Sequence, residues 1–166
     1  MFQIGDKVVY PMHGAGVIEA IEDKEILGET RSYYVMRIPI GDMKVMVPRD
    51  SVDEIGLRQV IDDSGFKKVM SILHDSKSPM SSNWNRRYRA NMEKIKSGNI
   101  YEVTEVVRNL MLRDREKSLS SGEKKMLDYA RQILISELVL CRNQDEEVVA
   151  SMIDKALEEE TANVLL

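Results

Sequence analysis

The sequence predicts an α+β chain in two parts: a small β module over 1–54 and an all-helical domain of about five helices over 55–166. Three observations carry this reading. Short β-branched and aromatic runs, separated by turn residues, recur as far as Pro48. From about residue 56 the apolar residues recur at helical spacing. Between two of those helical stripes lies a serine-rich stretch, 76–82, with no period of its own.

In the first part, Val8-Val9-Tyr10 stops at Pro11, and Gly14 and Gly16 precede Val17-Ile18-Glu19-Ala20-Ile21. A polar stretch holding Gly28 leads to Tyr33-Tyr34-Val35-Met36-Arg37-Ile38, and Gly41-Asp42 turns the chain into Met43-Lys44-Val45-Met46-Val47. Strands this short and closely spaced suggest a small, strongly bent sheet or barrel. Such a module buries little area, so it is expected to lean on a neighbour or a partner. In the second part Leu57, Val60 and Ile61 predict one short helical stripe, and Phe66, Val69, Met70 and Leu73 a second. The pattern i, i+3, i+4, i+7 continues in Val103, Val106, Val107 and Leu110, then in Met126, Leu127, Ala130, Ile133 and Leu134. A last stripe is Val149, Met152, Ile153, Ala156 and Leu157. Asn99 with Glu102, and Ser120 with Glu123, have the spacing of helix-start capping boxes.

Composition excludes several classes. No run of about eighteen apolar residues exists to span a bilayer, and the N-terminus lacks a basic stretch followed by an apolar core, so the chain is expected to be cytoplasmic with no membrane partner. The single cysteine, Cys141, excludes an intrachain disulfide and a cysteine-based zinc site, and its place on an amphipathic stripe predicts packing rather than reaction. His13 and His74 fall in different parts, and no nucleophile elbow, Walker loop or dinucleotide fingerprint is present. Neither an enzymatic activity, a cofactor nor a small-molecule substrate is expected. The net charge of −4 conceals an asymmetry: residues 83–142 carry +5 and residues 143–166 carry −6. A basic block before an acidic tail suits contact with a polyanion better than the total suggests.

The basic block opens on Asn83-Trp84-Asn85-Arg86-Arg87-Tyr88-Arg89, which holds the only tryptophan and three arginines within four positions. Guanidinium groups can pair with phosphates, and an indole can wedge against an unstacked base. A helix starting near Asn83 would also align Trp84, Tyr88, Met92 and Ile95 in one apolar stripe, with Arg86, Arg89 and Glu93 opposite. Spacing alone leaves two possibilities: an indole anchored in a core, or one in the first turn that points past the helix end.

The motifs G-D-K-V-V-Y-P-M-H-G at 5–14, N-W-N-R-R-Y-R-A-N-M-E-K-I at 83–95, E-V-V-R-N-L at 105–110 and R-D-R-E-K-S-L-S-S-G-E-K-K-M-L at 113–127 resemble the CarD/CdnL family of bacterial transcription regulators. That family shares its N-terminal module with the RNA polymerase-interacting domain of the transcription-repair coupling factor. The resemblance runs in order over nearly the whole chain. It implies a non-enzymatic protein whose Tudor-like (SH3-like barrel) module docks on the RNA polymerase β subunit. The helical domain would then meet promoter DNA at the upstream edge of the transcription bubble. It implies a minor-groove wedge at Trp84, DNA contacts at Arg86, Arg87, Arg89 and Lys124, and polymerase contacts at Lys24, Ile26 and Met46. Relatives often carry arginine where this chain has Met46, which implies a more apolar docking contact here.

Overall fold

A computed structural model describes the backbone of residues 1–165 and the side chains of residues 1–159; residue 166, the end of the expected helical domain, lies outside the described residues. Five strands form one antiparallel sheet: β1 (Lys7–Tyr10), β2 (Gly14–Ile26), β3 (Glu29–Ile38), β4 (Met43–Pro48) and β5 (Arg58–Gln59), in the order β4-β3-β2-β1-β5. A one-turn helix, α1 (Val52–Ile55), follows a single 3-10 turn. Five longer helices complete the chain: α2 (Asp63–His74), α3 (Trp84–Lys96), α4 (Ile100–Glu116), α5 (Ser121–Arg142) and α6 (Glu146–Leu165). The α+β class read from the sequence is the one observed.

Two expectations change. The sheet does not end at residue 54, because β5 adds to the free edge of β1, pairing Val8 with Gln59 and Val9 with Arg58. The stripe Leu57, Val60, Ile61 is correspondingly not helical. Leu57 instead closes the sheet's own core, and Ile61 packs on the edge of the helical core. Strand pairing and a buried acceptor outweigh the helical spacing there: Arg58 reaches Glu137, and the backbone N–H of Ile61 donates to the same carboxylate at 2.9 Å.

The two faces of the sheet have different fates. Val8, Ile18, Tyr34, Met36, Ile38, Val47 and Leu57 form its own core. On the other face, Val9 and Ala15 pack against Leu140 of α5. Polar bonds reinforce this seam. The N–H of Ala15 donates to Ser136 Oγ at 3.0 Å, Lys7 Nζ to the Leu140 carbonyl at 2.8 Å, and the Tyr129 hydroxyl to the Met12 carbonyl. Gly14 makes the approach possible: a Cβ there would stand 2.9 Å from Ser136 Oγ, and its φ of +113° already disfavours other residues.

The helical core is built from the predicted stripes, with Val69, Val106, Val107, Leu110, Leu134, Ile153 and Leu157 at or near full burial. Helix starts follow the predicted caps. Asn83, Asn99 and Ser120 each accept a hydrogen bond from a first-turn N–H, at Arg86, Tyr101 and Glu123 respectively. Among the described residues, no helix is long and apolar enough to cross a membrane, and no cluster of histidine, cysteine and carboxylate side chains could hold a metal ion.

Candidate nucleic-acid interface

The first turn of α3 and the first turn of α5 meet at Trp84. The indole is 41% exposed, so it is not sealed in the core. Its stripe climbs out of the bundle: Ile95 is buried, Met92 and Tyr88 are half-buried, and Trp84 stands at the rim. The ring stacks on Tyr88 with centroids 5.0 Å apart and planes 19° from parallel. Its Nε1–H donates to Ser120 Oγ at 2.9 Å. One edge lies over Gly122, where a Cβ would come within 3.3 Å of Trp84 Cζ2.

Beneath the indole a buried ion pair joins the two helices. Arg87 Nε and Nη2 donate to Glu123 Oε2 and Oε1 at 2.9 and 3.0 Å, and both side chains are at most 4% exposed. Arg87 Nη1 also donates to the Ser81 carbonyl at 3.1 Å. Hydrogen bonding from Arg87, opposed by burial, holds the Glu123 carboxyl below the usual carboxylate range, and the same pairing raises Arg87. This corrects the expectation that Arg87 contacts DNA: its guanidinium is turned inward and its donors are spent on Glu123 and the loop. The sequence holds the signal, since 84, 87, 88, 91 and 95 share one helical face.

The other predicted cations behave differently. Arg86, Arg89 and Lys124 are exposed, and Lys125 beside Lys124 adds a further exposed charge. Arg113, in the last turn of α4, is half-buried and close enough to Glu123 to help hold that carboxyl down. The starts of α3 and α5, each with a partial positive charge, therefore meet at an exposed indole, and both helices carry exposed cations within or near their first turns. The Ser120 bond to the indole was not legible in spacing alone, although the Ser120–Glu123 capping box and the i, i+4 neighbourhood of Trp84 and Tyr88 were.

On the β module, strand register gathers the other expected residues. Lys24 pairs with Arg31, Ile26 with Glu29 and Met46 with Val35, so Lys24, Ile26 and Met46 share one face of the sheet. Lys24 and Ile26 are exposed near the tip of the β2–β3 hairpin, with Leu27 fully exposed at its turn, and Met46 is half-buried on the edge strand β4. Lys7, Val9, Ala15 and Val17 occupy that same face farther along and lie against α5 or beside it. Cys141 is half-buried with its Sγ 3.6 Å from the Asp62 carbonyl, and burial pushes its thiol up.

Comparison with known proteins yields matches in both halves. Residues 2–61 match the family model of the CarD-like/TRCF RID domain, and residues 68–154 match that of the CarD C-terminal domain. A protein of Bacillus subtilis (strain 168) named "Putative transcription factor YdeB" is 48% identical over 151 residues, covering 91% of this chain and 99% of its own. The solution NMR structure of the 72-residue N-terminal domain of Myxococcus xanthus CarD is 37% identical, covering 36% of this chain and 79% of that one, with a TM-score of 0.32.

Proposed function

This chain belongs to the CarD family of transcription regulators, with an N-terminal domain of the RNA polymerase-interacting type, and from that premise we propose that it stabilises the promoter open complex. The sheet face bearing Lys24, Ile26 and Met46 docks on the polymerase β subunit. The surface around Trp84 meets the upstream fork of the transcription bubble, with the indole as a minor-groove wedge and Arg86, Arg89 and Lys124 on the DNA backbone. Such a protein works in the cytoplasm, on polymerase.

The observation that carries this reading is the half-exposed indole held where the starts of α3 and α5 meet, on two helices that also bear exposed Arg86, Arg89 and Lys124. An indole of that kind offers a flat apolar surface where a stacked base has been lost. Affinity for free DNA should be poor, because few phosphate contacts release few counterions and the remainder of the chain is acidic. Docked on polymerase, the same surface meets the promoter at high effective concentration, so a modest contact suffices. A ligand that prefers the melted fork shifts the closed-to-open equilibrium by its differential affinity and no more. A wedge with two or three phosphate contacts is worth about 1–3 kcal/mol, or about ten- to hundredfold in complex lifetime. Readout follows fork shape and ease of unstacking rather than base identity.

The test is footprinting of polymerase–promoter complexes with and without the protein. Altered reactivity at the upstream edge of the bubble, lost in Trp84→Ala while polymerase binding persists, is the expected result. Unchanged reactivity there would overturn the reading and favour an adaptor whose helical domain binds a protein partner.

A further inference from the structure

We propose that Ser120 is a positioning residue that presets the indole of Trp84 for its task; the inference rests on the open-complex reading above. At 41% exposure the indole N–H could be satisfied by water, so its bond to Ser120 is not demanded by burial. What that bond does is fix orientation. The Ser120 hydroxyl is itself held firmly: it accepts from the Glu123 N–H at 3.2 Å and lies 3.3 Å from Glu123 Oε1, to which it donates. Glu123 in turn is clamped by buried Arg87, which also gathers the carbonyls of Ser81 and Ser82 just ahead of α3. The chain Arg87–Glu123–Ser120–Trp84 therefore ties the indole to a buried ion pair that joins α3 to α5.

The ring is held at several points: its N–H donates to Ser120, it stacks on Tyr88, and Cζ2, on the same edge as the N–H, lies near Gly122, while the residue as a whole stays 41% exposed. A side chain ordered before binding loses less rotamer freedom on contact, so part of the wedge's grip comes from the free protein's own geometry. Removing the hydroxyl should shorten open-complex lifetime by about three- to tenfold, the range set by one hydrogen bond or one immobilised side chain.

Trp84 is the only tryptophan, so its fluorescence reports this one ring. The experiment compares the full chain with Trp84→Ala, Ser120→Gly and Ser120→Thr. Glycine keeps most of the helix-capping stability while deleting the hydroxyl, and threonine keeps both. Two readouts are taken: emission and anisotropy of the free protein, and the half-life of open complexes after competitor challenge. Ser120→Gly should shift the emission, lower the anisotropy and shorten the half-life, and Ser120→Thr should restore all three. If Trp84→Ala shortens the half-life but Ser120→Gly matches the wild type in half-life or fluorescence, the positioning role is overturned and the open-complex reading stands. Failure of Ser120→Thr to rescue also overturns it. If Trp84→Ala leaves the half-life unchanged, the open-complex reading falls, and the inference with it.

Discussion

Trp84 and Arg87 lie three residues apart on one helical face, yet one stands in solvent and the other is sealed. Periodicity assigns direction around a helix, not depth along it. Both residues point at α5, but the position of Arg87 brings its guanidinium onto Glu123, whereas Trp84 overhangs the end of the bundle. Exposure at 84 was therefore not legible, while inward direction at 87 was, behind an arginine-rich segment that resembles a DNA contact. Two predictions belong to this scale. Glu123→Gln leaves a buried guanidinium without its counter-charge and should destabilise the fold by about 3–5 kcal/mol, read from chemical denaturation. Because the folded carboxyl is held below its unfolded value, its contribution is complete above the ordinary carboxylate range of about 4.3 and is lost as pH falls through the depressed folded value. Wild-type stability should thus drop on acidification in that window with a slope that Glu123→Gln reduces; equal slopes in both proteins would contradict the pairing. Separately, Gly122→Ala sets a methyl group 3.3 Å from Trp84 Cζ2 and should displace the indole by a few tenths of an ångström. The expected outcome is altered Trp84 emission with the melting temperature unchanged or raised, alanine being the better helix former.

Among the elements, α5 does two jobs with its two ends. Its first turn holds the indole through Ser120 and Gly122, and its second half grips the β module through Ser136, Glu137 and Leu140. A helix of 22 residues spans about 33 Å, so it sets the distance between the β module and Trp84. Glu137, 1% exposed, is the centre of that grip, paired with Arg58 at 2.8 Å. The start of α5 was legible from its capping box, and its apolar stripe predicted its core face. The grip was not legible, because nothing in local spacing marks Glu137 as the acceptor for a strand 79 residues earlier, and the same ignorance produced the helical reading of Leu57 to Ile61. Arg58→Ala should destabilise the protein by about 1–3 kcal/mol, since Arg58 is partly exposed and the Ile61 N–H still serves the carboxylate. A double-mutant cycle with Glu137→Ala should show coupling above about 0.5 kcal/mol; additivity would mean the pair does not hold the seam.

At the scale of the whole molecule, charge and architecture divide the labour. The basic block read from the sequence runs through α3, α4 and α5, with Arg86, Arg89 and Lys124 exposed and Arg87 and Arg108 buried, and the acidic tail became α6, which buries Val149, Ile153 and Leu157 against the bundle. Net charge alone would have argued against nucleic acid, whereas its distribution along the chain pointed the other way. The sheet face was half legible: the resemblance named Lys24, Ile26 and Met46, but that they share a face came from register across β2, β3 and β4. The central claim is that one half grips polymerase so that the other can act on DNA, and paired charge reversals test it most directly. Lys24→Glu and Arg89→Glu are each compared with the wild type for binding to an isolated β-subunit fragment and for open-complex half-life. The account predicts that Lys24→Glu weakens β binding and shortens the half-life, whereas Arg89→Glu shortens the half-life with β binding intact. Equal losses of β binding in both variants would contradict it.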